Sequence, residues 1–326
     1  MPLRVSLMLT LPNGSRLCES AVLRWSRNLM IRLASFLAPG DLRPRLGAAE
    51  GEMMRDLTAA HGADWDMRRV LALPIEELRA FVAAGNIMLP AARCHLLPPI
   101  PDPGKIFCVG KNSKVHRAEL VAQGMLKEDP QEPTSFVKLT ETLVGDGARV
   151  ARPEGITTFD YEPELAFIIT RRAFQVSREK ARDYVGAVTV LNDLTAREIQ
   201  KQEVQLGTKF WVSKNMPRFT PVGPYAVPLA EIADPYDLWL TCHVNGEQRL
   251  RVNTDEYIHR IEGIIAHFSR FMPFEVGDVI ATGAPRGTAI GHPNAAELYL
   301  KPGDTCVAGL EGLMQITTHV VAPGEV

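Results

Sequence analysis

Beyond residue 104 the sequence is a succession of short β-rich runs with few helical stretches between them, a spacing that excludes most folds. The runs cover residues 105–109, 135–139, 164–169, 184–191, 238–244, 278–282 and 313–321. Between them stand Gly145-Asp146-Gly147, Asn245-Gly246 and Pro302-Gly303-Asp304, where glycine and asparagine tolerate the backbone of tight turns. A wound βαβ array would place a helix after nearly every strand. The pattern instead predicts a β-rich α+β domain with one clear helix over 257–271, where Ile258, Ile261, Ile264, Ile265, Phe268 and Phe271 recur at helical spacing.

Prolines 98, 99, 101 and 103 make the stretch before this domain extended and stiff, which reads as a domain boundary. Upstream, residues 31–36 alternate apolar and polar, Pro39-Gly40 turns the chain, and a second run begins at Arg43, so a hairpin is expected. Residues 53–61 and 74–84 read as helices, the latter with Pro74 near its start. Residues 1–29 carry Arg4, Arg16, Arg24 and Arg27 against one acid, Glu19, a bias shared by transit peptides and by chance extensions. The expected division is an extension or targeting segment over 1–29, a small N-terminal α/β domain over 30–100 and a catalytic domain over 101–326.

A chain of 326 residues that is 46% hydrophobic and 23% charged can bury a sizeable core. Its formal net charge of −2, with both signs interspersed, gives no attraction to nucleic acid or anionic lipid. Cys18, Cys94, Cys108, Cys242 and Cys306 form no C-x-x-C pair, so neither a zinc site nor a disulfide framework is indicated, and a reducing, cytoplasmic compartment fits. Organellar targeting through residues 1–29 stays open. No apolar run approaches the roughly 20 residues of a membrane-spanning helix.

The chemistry concentrates in Asp160-Tyr161-Glu162-Pro163-Glu164-Leu165. Glu162 and Glu164 are two apart, so on an extended strand both leave the same face. Alone, such a pair is most often a solvated face. Here the apolar run 165–169 follows, as in a buried strand, and paired carboxylates at its mouth invite a hard divalent cation. A second apolar run, 188–191, delivers Asn192-Asp193 and then Thr195-Ala196-Arg197-Glu198, where Asp193 either completes the ligand set or caps a helix.

Taken in order, DYEPEL, NDLTAREIQ, the lysine of Ser213-Lys214-Asn215, Gly223-Pro224 and VIATG at 279–283 resemble the fumarylacetoacetate hydrolase family. The likeness spans roughly residues 105–321, and Phe107-Cys108-Val109-Gly110-Lys111-Asn112 with His116 and Glu119 is similar to that family's G-x-N-x-x-x-H-x-x-E segment. It implies mixed sheets rolled around a metal site, with Mg²⁺ or Mn²⁺ (Ca²⁺ shares the oxygen preference) on Glu162, Glu164 and Asp193. It further implies a 2-oxo or 1,3-diketo acid substrate, a His116–Glu119 dyad activating water, and Lys214 facing developing negative charge. Arg197, Gln200, Lys138, Thr282 and Gly283 are the implied substrate contacts, and a homodimer the implied assembly. The reaction expected is hydrolysis of a C–C bond in an acylpyruvate-like or fumarylpyruvate-like acid. Decarboxylation, isomerisation or hydration through the same enolate is the alternative, and a binding protein without turnover a third. Ser113, Ala284 and the Val212-Ser213-Lys214-Asn215 segment depart from the family pattern and bear on substrate choice.

Overall fold

The computed structural model describes residues 30–122 and 131–326, preceded by one short antiparallel pair, Leu9–Thr10 with Arg16–Leu17. The rest of the stretch read as an extension over 1–29 lies outside the described residues.

The expected hairpin forms, with Leu33–Leu37 antiparallel to Arg45–Glu50. It belongs to a five-stranded sheet ordered Met88–Pro90, Met53–Asp56, Arg45–Glu50, Leu33–Leu37, His95–Leu96. Residues 53–61 are not one helix. Gly51, at φ 58°, closes a tight turn that folds Met53–Asp56 back as a strand on Arg45–Glu50. Asp56 then accepts a hydrogen bond from the Ala59 N–H and starts the short helix Leu57–His61. The helix Ile75–Ala84 forms as read, with Leu78, Phe81 and Val82 buried.

Two larger mixed sheets dominate the remainder, beside two short strand pairs, the β-rich α+β arrangement that the run spacing predicts. The first is six-stranded, ordered Val227–Pro228, Val185–Asn192, Pro163–Ile169, Val279–Ala281, Ile106–Gly110, Thr134–Lys138. All its pairs are antiparallel except Val279–Ala281 with Ile106–Gly110. The second is ordered Ala148–Ala151, Met314–Val321, Thr305–Leu310, Trp239–Val244, Glu247–Asn253. Pro163–Ile169 is buried along its whole length. Its Leu165, Phe167 and Ile169 pack with Val188 and Val190 and with Leu240, Leu310 and Ile316 of the second sheet. Each such side chain contributes about 1.5–3 kcal/mol on leaving water.

The helix expected over 257–271 is shorter, Ile261–Phe268, and presses Ile261, Ile264, Ile265 and Phe268 into the same core. Its start is delayed because the preceding residues are pinned elsewhere: the Ile258 N–H donates to the Asn112 carbonyl at 2.8 Å. The His259 N–H donates to Asn112 Oδ1 at 2.7 Å. The smaller sheet is joined to the six-stranded one: Leu33 and Ala226 exchange backbone hydrogen bonds at 3.0 and 2.8 Å. Ile31 and Leu33 also share a core cluster with Ile168, Ala187 and Ala226. Among the described residues no helix is long and apolar enough to cross a membrane.

Candidate active site

Strand register gathers the acids. Pro163 lies opposite Asn192 in the antiparallel pair, at the first position of its strand, where a missing N–H costs no ladder bond. The Glu162 N–H donates to Asn192 Oδ1 at 2.9 Å and the Asp193 N–H to the Glu162 carbonyl at 2.8 Å. Both strands therefore end together, and oxygens of Glu162, Glu164 and Asp193 lie within 4.8 Å of one another. All three side chains are buried, at 3%, 1% and 0% exposure. This places Asp193 in the acid cluster; the following helix, Arg197–Gln205, has Ala196 at its cap with no side-chain cap bond.

Three buried cations converge on these acids. Lys214 Nζ donates to Glu162 Oε2 at 2.5 Å and also to Asp193 Oδ2. Lys138 Nζ donates to the other Asp193 oxygen at 2.5 Å and to the Lys214 carbonyl at 2.6 Å. Arg197 Nη2 meets Glu162 Oε1 at 2.5 Å and Asp160 Oδ2 at 2.7 Å, while its Nη1 donates to Gln200 Oε1 at 2.8 Å. Burial alone would pull the Lys214 ammonium down, but the charges of Asp193 and Glu162 outweigh it and hold the group above its ordinary value. The same balance, with Asp160 and Glu162 as partners, keeps Arg197 raised. Both are fixed cations at any working pH.

Glu164 is treated differently. Among the described residues its only hydrogen bond is from the Gly283 N–H, at 2.7 Å, and no cation lies within ion-pairing distance. Burial first, then the charges of Asp193 and Glu162, push its carboxyl well above the usual range. Glycine is required at 283: φ is 103°, and a Cβ would fall 2.7 Å from the Val109 carbonyl oxygen. The Thr282 hydroxyl is spent on the Leu165 carbonyl at 2.8 Å.

The surroundings hold this cluster rigid. Glu203 receives the Val212 N–H at 2.6 Å and the Ser213 hydroxyl at 2.5 Å, fastening the lysine segment to the Arg197–Gln205 helix. Asn215 accepts the Leu139 N–H at 2.5 Å and donates to the Val137 carbonyl, closing the free edge of Thr134–Lys138. Asp160, read in the motif but given no role there, anchors Arg197 and receives the Ala289 and Ile290 N–H groups at 2.9 and 3.1 Å. Its place beside Glu162 was the available signal, as was helical spacing for Glu203, one turn beyond Gln200. Lys111, Phe136, Phe210 and Ala284 join Glu162, Glu164, Asp193, Arg197, Gln200 and Lys214 around a cavity of about 30 Å³, room for an ion and its immediate ligands. Positions 116 and 119 lie on the helix Lys114–Ala122, but their side chains are outside the described residues.

Charge decides whether the residues fit a cation. Among the described residues Asp160, Glu162 and Asp193 pair with Lys138, Arg197 and Lys214, and Glu164 is left without a cationic partner. A divalent cation among the three acids would supply that missing positive partner. The oxygen-only donor set suits Mg²⁺ or Mn²⁺.

Residues 105–321 match the family described as Fumarylacetoacetate (FAA) hydrolase C-terminal. The chain belongs to this family. Across 299 residues it is 30% identical to a mitochondrial oxaloacetate tautomerase, fahd2, of Xenopus laevis, covering 90% of this chain and 91% of that protein. Among solved structures in the family it resembles the fumarylacetoacetate hydrolase of Exiguobacterium antarcticum, with a TM-score of 0.72 at 29% identity over 90% of this chain and 99% of that one. It also resembles the fumarylpyruvate hydrolase of Pseudomonas aeruginosa in complex with Mn²⁺ and pyruvate, with a TM-score of 0.59 at 25% identity over 67% and 89%. The matched relatives thus include a tautomerase and hydrolases, enzymes acting on small acids.

Proposed function

We propose that this chain is an enzyme acting on a 2-oxo acid by keto–enol isomerisation, with Mg²⁺ or Mn²⁺ held by Glu162, Glu164 and Asp193. The observation that carries the reading is a buried, oxygen-only cluster in which one acid, Glu164, has no cationic partner among the described residues. When bound, the cation supplies Lewis-acid polarisation of the substrate carbonyl and favours its enolate.

The chain's own groups do the rest. Lys214, a fixed cation against the ring faces of Phe136 and Phe210 at 5.1 and 5.9 Å, faces negative charge developing on the substrate. Gln200, whose Oε1 is occupied by Arg197, keeps its amide nitrogen as a donor for the substrate carboxylate. His116, oriented by Glu119, moves the proton at the carbon beside the carbonyl. The full-length likeness to an oxaloacetate tautomerase supports isomerisation. Hydrolytic C–C cleavage is the second reading, supported by the likeness to two hydrolases and by the same dyad used on water.

Following the enol absorbance of oxaloacetate together with pyruvate release from an acylpyruvate tests both. Mn²⁺-dependent loss of the enol without pyruvate release is expected, and His116→Ala should abolish it while leaving Mn²⁺ binding intact. Pyruvate release from the acylpyruvate would install hydrolysis instead, and no acceleration of either would refute the enzyme reading. We also place the domain division at the proline stretch, with 30–100 as a separate unit from 101–326, and propose a homodimer, which sedimentation at two concentrations would reveal. The compartment proposed is the cytoplasm.

A further inference from the structure

Asn112 is fully buried, and its side-chain amide is spent on backbone groups of two other segments. Its Nδ2 donates to the Thr282 carbonyl at 2.7 Å and to the His259 carbonyl at 2.9 Å. Its Oδ1 receives the His259 N–H at 2.7 Å. Two carbonyls and one N–H surround the amide, so its nitrogen and oxygen have a single consistent assignment. No side chain as short offers two donors beside an acceptor.

The bond to Thr282 reaches the acid cluster through one peptide unit. The Thr282 carbonyl and the Gly283 N–H belong to the same planar group, pointing to opposite sides. Asn112 grips that group by its oxygen, and its N–H is the hydrogen bond to Glu164. The two residues also touch: a Cβ on Gly283 would lie 3.0 Å from the Asn112 Cβ. Glycine gives this peptide freedom to rotate that another residue would deny it, so an external clamp is what keeps the N–H aimed at the acid.

The same asparagine stands where two other elements begin. Ile106–Gly110 lies parallel to Val279–Ala281, with Cys108 opposite Ala281, so the chain leaves both strands at one end, beside Asn112 and Thr282. The helix Lys114–Ala122, on which positions 116 and 119 lie, starts just beyond it, the Arg117 N–H closing its first turn on the Ser113 carbonyl at 2.9 Å. Residues 257–259 supply the anchor. They bridge to Ser113 through Tyr257 and run on into Ile261–Phe268, which is packed into the main core.

We propose that Asn112 is a positioning residue that clamps the Thr282–Gly283 peptide, holding the Gly283 N–H on Glu164 and fixing that acid relative to the start of the helix Lys114–Ala122. The inference rests on the metal-site reading above and adds to it. Asn112 touches no metal or substrate; it acts through Gly283.

Mn²⁺ titrations followed by electron paramagnetic resonance, with oxalate present, test the clamp on neutral variants. Asn112→Ser and Asn112→Ala remove the amide fork without adding charge and should weaken Mn²⁺ binding about tenfold. They should also change the line shape of the Mn²⁺–oxalate complex, which a loss of stability alone would not do. Leu78→Ala, a core change in the smaller sheet region, is the control: it should lower the melting temperature yet leave Mn²⁺ affinity within about twofold and the line shape unaltered. If Asn112 acts through Gly283, combining Asn112→Ser with Gly283→Ala should cost at most about twofold beyond the weaker single variant. Multiplied losses in the double variant, wild-type affinity and line shape in both Asn112 variants, or failure of both to fold overturns the clamp and leaves the metal reading standing. Absence of Mn²⁺ binding by the wild-type protein overturns the metal reading and the clamp with it.

Discussion

Glu162 and Asp193 are each held by two cations, whereas Glu164, equally buried, meets only the Gly283 N–H among the described residues. The first flank is complete by itself: two lysines and an arginine already offset the loss of water around its carboxylates. The second is complete only when something positive arrives. One site thus divides into a scaffold that folding requires and an acid that folding must tolerate, and the ligand-dependent behaviour should follow the tolerated acid.

The sharpest break of that contrast is Lys214→Met, which strips a buried cation from two carboxylates. It should lower the unfolding free energy by about 3–5 kcal/mol in urea titrations, and a loss below 1 kcal/mol would mean the saturated flank is not structural. Next, Glu164→Gln should leave the metal-free stability at pH 4.5 within about 1 kcal/mol, since the amide imitates a protonated carboxyl. It should erase the Mn²⁺-induced gain, which for wild type is about 2.7 kcal/mol at a hundredfold excess over Kd. Gly283→Ala, forcing a Cβ against the Val109 carbonyl, should cost roughly 1–3 kcal/mol and weaken Mn²⁺ binding by displacing the N–H that orients Glu164.

The smallest effect is on pH. In the metal-free protein the folded state keeps the Glu164 proton where the unfolded chain, at the ordinary value of 4.5, has released it. Raising the pH from 4.5 toward the raised folded value therefore favours unfolding, by up to about 1.4 kcal/mol per unit. Glu164→Gln should flatten that slope in thermal melts at 5, 6 and 7; an identical slope in both proteins would assign it elsewhere.

The sequence reveals some of this and conceals the rest for reasons of locality. The strands Pro163–Ile169 and Val185–Asn192 are legible as apolar runs because both faces are buried. Glu247–Asn253 escaped because its exposed face is charged and its sheet contact is made through a few residues such as Leu250 and Val252. Arg197 and Gln200 are found by helical spacing, yet no local pattern announces that residues 211–215 fold back to let Glu203 and Asn215 hold Lys214 in place. Lys138 ends an edge strand and would pass for a solvated cation; its burial depends on that same loop. The acids were visible in the motifs, while their unequal neutralisation is a property of tertiary packing alone.

The most direct test is a Mn²⁺ titration followed by electron paramagnetic resonance, on wild type and on Glu164→Gln, with and without oxalate. One Mn²⁺ per chain, bound tighter when oxalate is present and lost in Glu164→Gln while the variant remains folded, is the predicted result. Absence of a bound ion in wild type, or undiminished binding in Glu164→Gln, would contradict the account.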